Sequence, residues 1–271
     1  MTISNPLPDY ENPPVIEVVC GIFFESIDAL LAPHLGLLWE KFRAEYPECQ
    51  EVAPLFPQIE KMNGPSVFKP ELTDRPPLPR VWFVHSNGTG IIQVQRDAFL
   101  HNWKKVRPED DYPRYGKVME MFRDRLSTFE SFLDSSKLGT ITPIQYEMTY
   151  VNHILHGEGW ERLEDIGEVF PDFCWRSNSQ RFLPPPEAMD WRTNFLLPDR
   201  AGRLRVRVRH GKRKSDDKQV VILESTVRGI QEDRSRQAMW RWFDLAREWI
   251  VRGFADLTGQ SVQTRVWRRK A

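Results

Sequence analysis

The chain is poor in cysteine. Cys20, Cys49 and Cys174 are the only three in 271 residues, they are widely spaced, and no CxxC pair occurs. That pattern excludes a zinc ribbon and a thioredoxin-type redox motif, and it suits reduced core cysteines. Net charge is also missing: 38 basic side chains balance 38 acidic ones, so no whole-chain attraction to nucleic acid or to an anionic membrane is on offer. Any electrostatic recognition must be local. No apolar run approaches the roughly 18 residues of a membrane-spanning helix. The opening MTISNPLPDYENPP has neither the basic nor the apolar region of a signal peptide, so a cytoplasmic protein that neither spans nor binds a membrane is expected. Nucleophile elbows, P-loops and GxGxxG are absent as well, and SNGTG at 86–90 suits a hairpin turn better than a phosphate cradle.

What is present in quantity is core material, 40% hydrophobic and 12% aromatic. The stretch Pro14 to Ile27 opens on two prolines and carries Val15, Val18, Val19, Ile22, Phe23 and Phe24 on both sides of a pleat, which predicts a strand covered on most of both faces. Asp28 is a candidate cap for a helix running to about Tyr46, with Pro33 in its first turn. Residues 47–80 hold eight prolines and read as a long irregular connection. Two apolar runs around Ser86 to Gly90 predict a hairpin over 80–103, with Ile92, Val94 and Arg96 alternating along its second arm. An apolar stripe from Tyr115 to Leu133 predicts a helix, and ITPIQYEMTYVNHIL a strand.

The order is β-α-β-β-α-β, that of a ferredoxin-like split βαβ unit with its helices on one face of an antiparallel sheet. Gly157 and Gly159 suggest a boundary between an N-terminal α+β domain, 1–157, and a C-terminal β-β-β-α domain, 158–271. The latter has a short helix near 161–169, strands near 190–197, 203–209 and 219–229, and a helix from the Ser235 cap to Leu257, followed by a closing strand over 261–267. The arm before residue 13 is expected to be loosely held, and no internal repeat is visible among the residues.

Two local clusters stand out. In GRLRVRVR, strand alternation places Arg203, Arg205, Arg207 and Arg209 on one face, and the turn beyond adds Lys212, Arg213 and Lys214. This row could bind phosphate or an acidic partner; alternatively it is a charged sheet face paired with Glu224, Asp190 or acids from the N-terminal half. Trp103, Tyr112 and Tyr115, beside Lys104 and Lys105, could stack bases or meet a partner, or Trp103 could pack under the second helix. Trp240, off the stripe shared by Trp242 and Trp249, is a candidate for the same partner surface. The pair His153 and His156 suits a polar strand end better than a metal site, and neither a metal nor an organic cofactor is expected.

Four phrases carry a resemblance: Asn12-Pro13-Pro14-Val15-Ile16-Glu17, Arg96-Asp97 through Asn102-Trp103, Tyr112-Pro113-Arg114-Tyr115, and Tyr150-Val151-Asn152-His153-Ile154. Together with the tryptophan-rich last helix, they resemble a sporadically distributed family of uncharacterised bacterial proteins of about 250–270 residues. The resemblance implies one full-length module and supplies no catalytic residue. Two functions stay open: a non-catalytic binding or adaptor protein acting through a protein partner, and a nucleic-acid-binding or RNA-processing protein that uses the arginine strand.

Overall fold

The computed structural model describes residues 6–55, 59–60, 78–173, 182–213 and 216–270. The fold is mixed α and β. Nine strands form one sheet in which every neighbouring pair is antiparallel. In chain order they are β2 (Val15–Phe24), β3 (Glu48–Val52), β4 (Arg80–Val84), β5 (Gly90–Gln95), β6 (Ala98–Lys104), β7 (Pro143–Leu155), β8 (Asp190–Leu196), β9 (Arg203–Lys212) and β10 (Gln219–Gly229). A separate two-stranded ribbon pairs β1 (Asp9–Tyr10) with β11 (Arg269–Lys270). The sheet runs β3-β4-β5-β6-β2-β7-β10-β9-β8. The central strand is β2, which the sequence marks as apolar on both faces; Val18, Cys20, Ile22 and Phe24 face the main core, and Phe23 joins Ala98 and Leu100 on the other side.

All three long helices pack on the Val18–Cys20–Ile22 face. They are α1 (Ala32–Phe42), α2 (Arg114–Ser135) and α4 (Arg236–Leu257), with the short α3 (Ile166–Val169) and α5 (Gln260–Arg265) beside them. Apolar residues three and four apart bring Val118, Met119, Phe122, Leu126 and Phe129 onto one side of α2, where Phe129 stacks on Phe99 at 5.0 Å. On α4, Trp242 lies 5.4 Å from Tyr146 and donates to the Ala201 carbonyl at 2.8 Å. The Ser235 hydroxyl caps that helix by accepting from Ala238 N–H.

The chain repeats one plan twice. A strand (β2 or β7) is followed by a crossover, a meander returning beside that strand (β3 to β6, or β8 to β10), and a 22-residue helix over the same face (α2 or α4). The repetition is of topology and not of residues. The two halves meet where β2 pairs with β7, and the segments before and after residue 157 share the sheet because β7 pairs with β10 from Tyr146 to Leu155.

Several expectations are corrected. The ferredoxin-like order does not form: the second hairpin arm turns back at Arg96–Asp97, so β5 and β6 are two strands, and β2 and β6 are antiparallel neighbours where a split βαβ unit needs a parallel pair. The proline-rich connection contains β3. Helix α1 begins at Ala32 and not after Asp28, since proline is tolerated only in a first turn and Pro33 fixes where that turn lies. Residues 260–265 are helical, not a strand, and the Gln263 amide donates to the carbonyls of Ala255 and Thr258, satisfying groups at the end of α4. The arm over residues 9–12 is held: Tyr10 is buried, Glu11 and Asn12 N–H donate to Arg268 and Trp267 carbonyls, and Arg114 bonds Asp9 and the Tyr10 carbonyl. Of the cysteines, Cys20 is buried and Cys49 is exposed on β3, while Cys174 lies outside the described residues.

One core residue is out of keeping with its surroundings. His101 on β6 is fully buried and neither ring nitrogen has a partner. Burial, reinforced by Arg125 and His85, pushes its pKa down to about 3. The folded state therefore holds it neutral while the unfolded chain takes a proton below about 6.5, so stability is full above that pH and falls as pH drops towards 3. At about 1.4 kcal/mol per pH unit, His101 costs about 2 kcal/mol between pH 6.5 and 5. Urea titrations at both pH values test this: His101→Leu should lose about 2 kcal/mol less than the parent over that interval, and equal losses would contradict it.

Candidate functional site

The sheet face away from the helices is polar, and pleat and register fix what stands on it. One row crosses from Lys104 (β6) through Glu17 (β2), Val151 (β7) and Glu224 (β10) to Arg207 (β9) and Arg192 (β8). A second crosses through Asn102, Val19, Thr149, Thr226, Arg205 and Asn194, and a third through Leu100, Gly21, Glu147, Arg228, Arg203 and Leu196. In the third row Gly21 is required by space: a Cβ there would meet the Leu100 side chain at 2.9 Å. Hydrogen bonds run laterally. Arg80 and Trp82 donate to Gln93 at 2.8 and 3.0 Å, Gln93 to Asn102 at 2.5 Å, and Asn102 to Glu17 at 2.6 Å. Thr149 and Thr226 bond at 2.8 Å, and Arg228 meets Glu147 at 2.5 Å. Burial raises the Glu17 pKa against the lowering pull of Asn102 and Lys104.

The arginine row is thus on one face, as strand alternation predicts, but three of its four guanidiniums are engaged by carboxylates. Glu60, whose side chain is 1% exposed, sits between Arg203, at 2.8 Å, and Arg205. Those two arginines are themselves only 19% and 29% exposed. Arg207 pairs with Asp190 at 2.6 Å, and that hydrogen bond, with one from Arg192, holds the Asp190 carboxyl well below the usual range. Arg213 pairs with Asp216, Lys212 is exposed beside it, and Lys214 lies outside the described residues. Of the original four arginines only Arg209 has no carboxylate partner among the described residues, and its Nε is buried.

Leu55 and Glu60 both lie against this face. Leu55 N–H donates to the Gln95 side-chain oxygen at 2.9 Å while the Gln95 amide returns a bond to the Leu55 carbonyl, and Leu55 packs on Phe23 and Leu100. Glu60 N–H donates to the Gln145 side chain at 2.8 Å. Residues 55 and 60 are thereby pinned over β5, β7 and β9 in turn.

A pocket lies at the other side of the sheet, between the N-terminal arm, the start of α2, β7 and α4. It encloses about 90 Å³. Pro13, Pro14 and Val15, then Tyr112, Arg114 and Tyr115, then Tyr150 and Asn152 all line it, so three of the four phrases that carry the resemblance meet here. Tyr112 and Tyr150 share a hydroxyl bond at 3.0 Å, and burial pushes the Tyr112 pKa up to about 12 and that of Tyr150 well above its usual value. Tyr115 donates to Asp244 at 2.7 Å, and its pKa is raised by burial and by that carboxylate. Arg247 also lines the pocket, its guanidinium 4.5 Å over the Tyr115 ring, with no carboxylate at ion-pair distance among the described residues. Such a group, uncompensated over an aromatic face, can accept a carboxylate or phosphate from a partner.

Of the aromatic cluster expected as a partner surface, Tyr112 and Tyr115 are in this pocket. Trp103 is buried with its ring 5.4 Å from Tyr112, and so packs within the core. Trp240 is elsewhere, edge-on to Phe122 and flanked by the Arg123 and Arg236 guanidiniums. Arg114 and Arg247 escaped the sequence reading; the available signal was the position of Arg247 one turn after Phe243 and one before Ile250, flanking the apolar stripe of α4. His153 and His156 do not converge: burial pushes His153 down to about 4, and His156 meets Glu161 at 3.2 Å. Among the described residues no three His, Cys, Asp or Glu side chains are grouped to hold a metal.

Unequal burial along the arginine row sets an unequal response to mutation. Glu60→Gln should cost about 3–5 kcal/mol by leaving two half-buried guanidiniums unpaired, whereas Arg207→Gln, which breaks a pair at the sheet edge, should cost no more than about 1 kcal/mol. Guanidinium titration of the two variants measures both, and equally small effects would mean that Glu60 does not lock the row. Comparison of the chain with protein-family models, with curated proteins and with solved structures returns no match.

Proposed function

We propose that the protein is a non-catalytic binding or adaptor protein that acts through a protein partner, and that the tyrosine–arginine pocket receives it. The observation that carries this reading is Arg247, a lining residue of an aromatic pocket held over Tyr115 with no carboxylate at ion-pair distance among the described residues. Tyrosine and arginine are the residues on which binding energy concentrates at interfaces, because they give large contact area at low entropic cost and can pair with a partner's polar groups. The wall is rigid: Tyr112, Tyr115 and Tyr150 are each held by a hydroxyl bond, and Arg114 fastens the arm that forms the opposite side. A preformed site loses little entropy on binding.

The alternative, a nucleic-acid-binding or RNA-processing role for the arginine strand, has less support. Three of its four arginines are engaged by the carboxylates of Glu60 and Asp190, which offset part of their charge and leave those guanidiniums less free to displace counterions from a phosphate backbone.

Arg247→Glu tests the proposal. The side chain is partly exposed and has no ion pair among the described residues, so stability should change by no more than about 0.5 kcal/mol. The set of proteins that copurify with the tagged chain should lose its stoichiometric member. Retention of every partner by the folded variant would remove the pocket from the account, and a salt-dependent shift of RNA by the parent chain would favour the alternative.

A further inference from the structure

The two ends of the nine-stranded sheet are built differently. β3, at one end, carries Glu48 and Glu51 and no large exposed apolar side chain, the means by which natural edge strands repel one another. β8, at the other, has neither proline nor lysine, and its Phe195 and Leu196 are 40% and 50% exposed. Phe182 and Leu183, just upstream, are exposed too. The charges of β8, Asp190 and Arg192, cancel, and Asp190 is already engaged by Arg207 and Arg192. The outward backbone groups of β8 have no partner among the described residues, whereas its inward ones bond β9 from Asp190 to Leu196.

From this we infer that β8 is an assembly edge whose occupant is β8 of a second copy of this chain. Antiparallel pairing centred on Thr193 sets Trp191 opposite the partner copy's Phe195, Arg192 opposite Asn194 and Asp190 opposite Leu196. The two Thr193 residues then face each other on the twofold axis. No like charges meet, and two aromatic pairs form on the face that carries the helices. Other edge pairings are worse matched. β3 on β3 brings together two doubly negative strands, and β3 on β8 is head-to-tail and does not close, so it would yield fibres in place of a defined oligomer. Pairing of β8 with itself closes as a dimer, doubles the sheet and covers Phe195 and Leu196. It lies on a different part of the sheet from the tyrosine–arginine pocket and stands or falls independently of it.

Sedimentation velocity of the full chain and cysteine cross-linking test the inference together. The parent should sediment as a dimer at micromolar concentrations. Thr193→Cys in a Cys49→Ser background should form a disulfide dimer on mild oxidation, whereas Asn194→Cys in that background, which points to the other face and opposite Arg192, should not. Phe195→Lys with Leu196→Lys should sediment as a monomer with an unchanged circular dichroism spectrum. A parent that stays monomeric, a dimer that survives the double lysine variant, or equal cross-linking at 193 and 194 would each overturn the inference, the last two by pointing to another surface or register.

Discussion

Pairing of β2 with β6 on one side and β7 on the other is the constraint on which the molecule depends. A strand with apolar side chains on both faces cannot be left at an edge or half covered, so it takes the middle of the sheet and each face must find a cover. Helices α1, α2 and α4 supply one, with Cys20 against Met119 and Phe24 against Phe129. The other is mixed: Phe23 packs with Ala98, Leu100 and Leu55, and beyond that small patch the face is closed by side-chain hydrogen bonds. Buried polar groups are tolerable there because most are bonded laterally, strand to strand.

That mixed face explains why an arginine row need not be a recognition surface. Four guanidiniums on one strand are a liability unless acids meet them, and the acid for two of them arrives from about 145 residues away on a segment that also caps Gln95 and Gln145. The same bonds hold Leu55 and Glu60 against the sheet. Charge at the pocket is arranged in the opposite sense: Arg114 is consumed in holding the arm, and Arg247 is left over.

Elements set by local chemistry were legible in the sequence. The central strand, the stripes of α2 and α4, the Ser235 cap and the Gly88 turn follow from period, capping and backbone freedom, and the structure has each of them, the strand ending three residues before the expected Ile27. What escaped depends on contacts between distant residues or on a turn with only a weak marker. Arg96–Asp97 reverses the chain with no glycine, asparagine or proline to mark it, and missing that one turn changed the sheet order from ferredoxin-like to the observed one. Val262 and Val266 are spaced for a helix, but a four-residue spacing with little else around it is weak, and what decides the matter is the Gln263 amide against the end of α4. For the site, Tyr112 and Tyr115 were visible as a cluster, whereas Arg247 lies more than 130 residues further on and only the fold brings it over Tyr115. The duplicated plan was invisible because it resides in strand order and not in residues.

Native-state hydrogen exchange tests the central claim, that the chain is one sheet joined at the seam between β2 and β7, most directly. Amides of β2, β7 and β10 should exchange only through global unfolding, with the same free energy and the same denaturant dependence, since β7 is bonded to both of the others along its length. Exchange of β8, β9 and β10 through a separate opening of lower free energy, while β2 and β6 remain protected, would contradict it and divide the chain into two independent units.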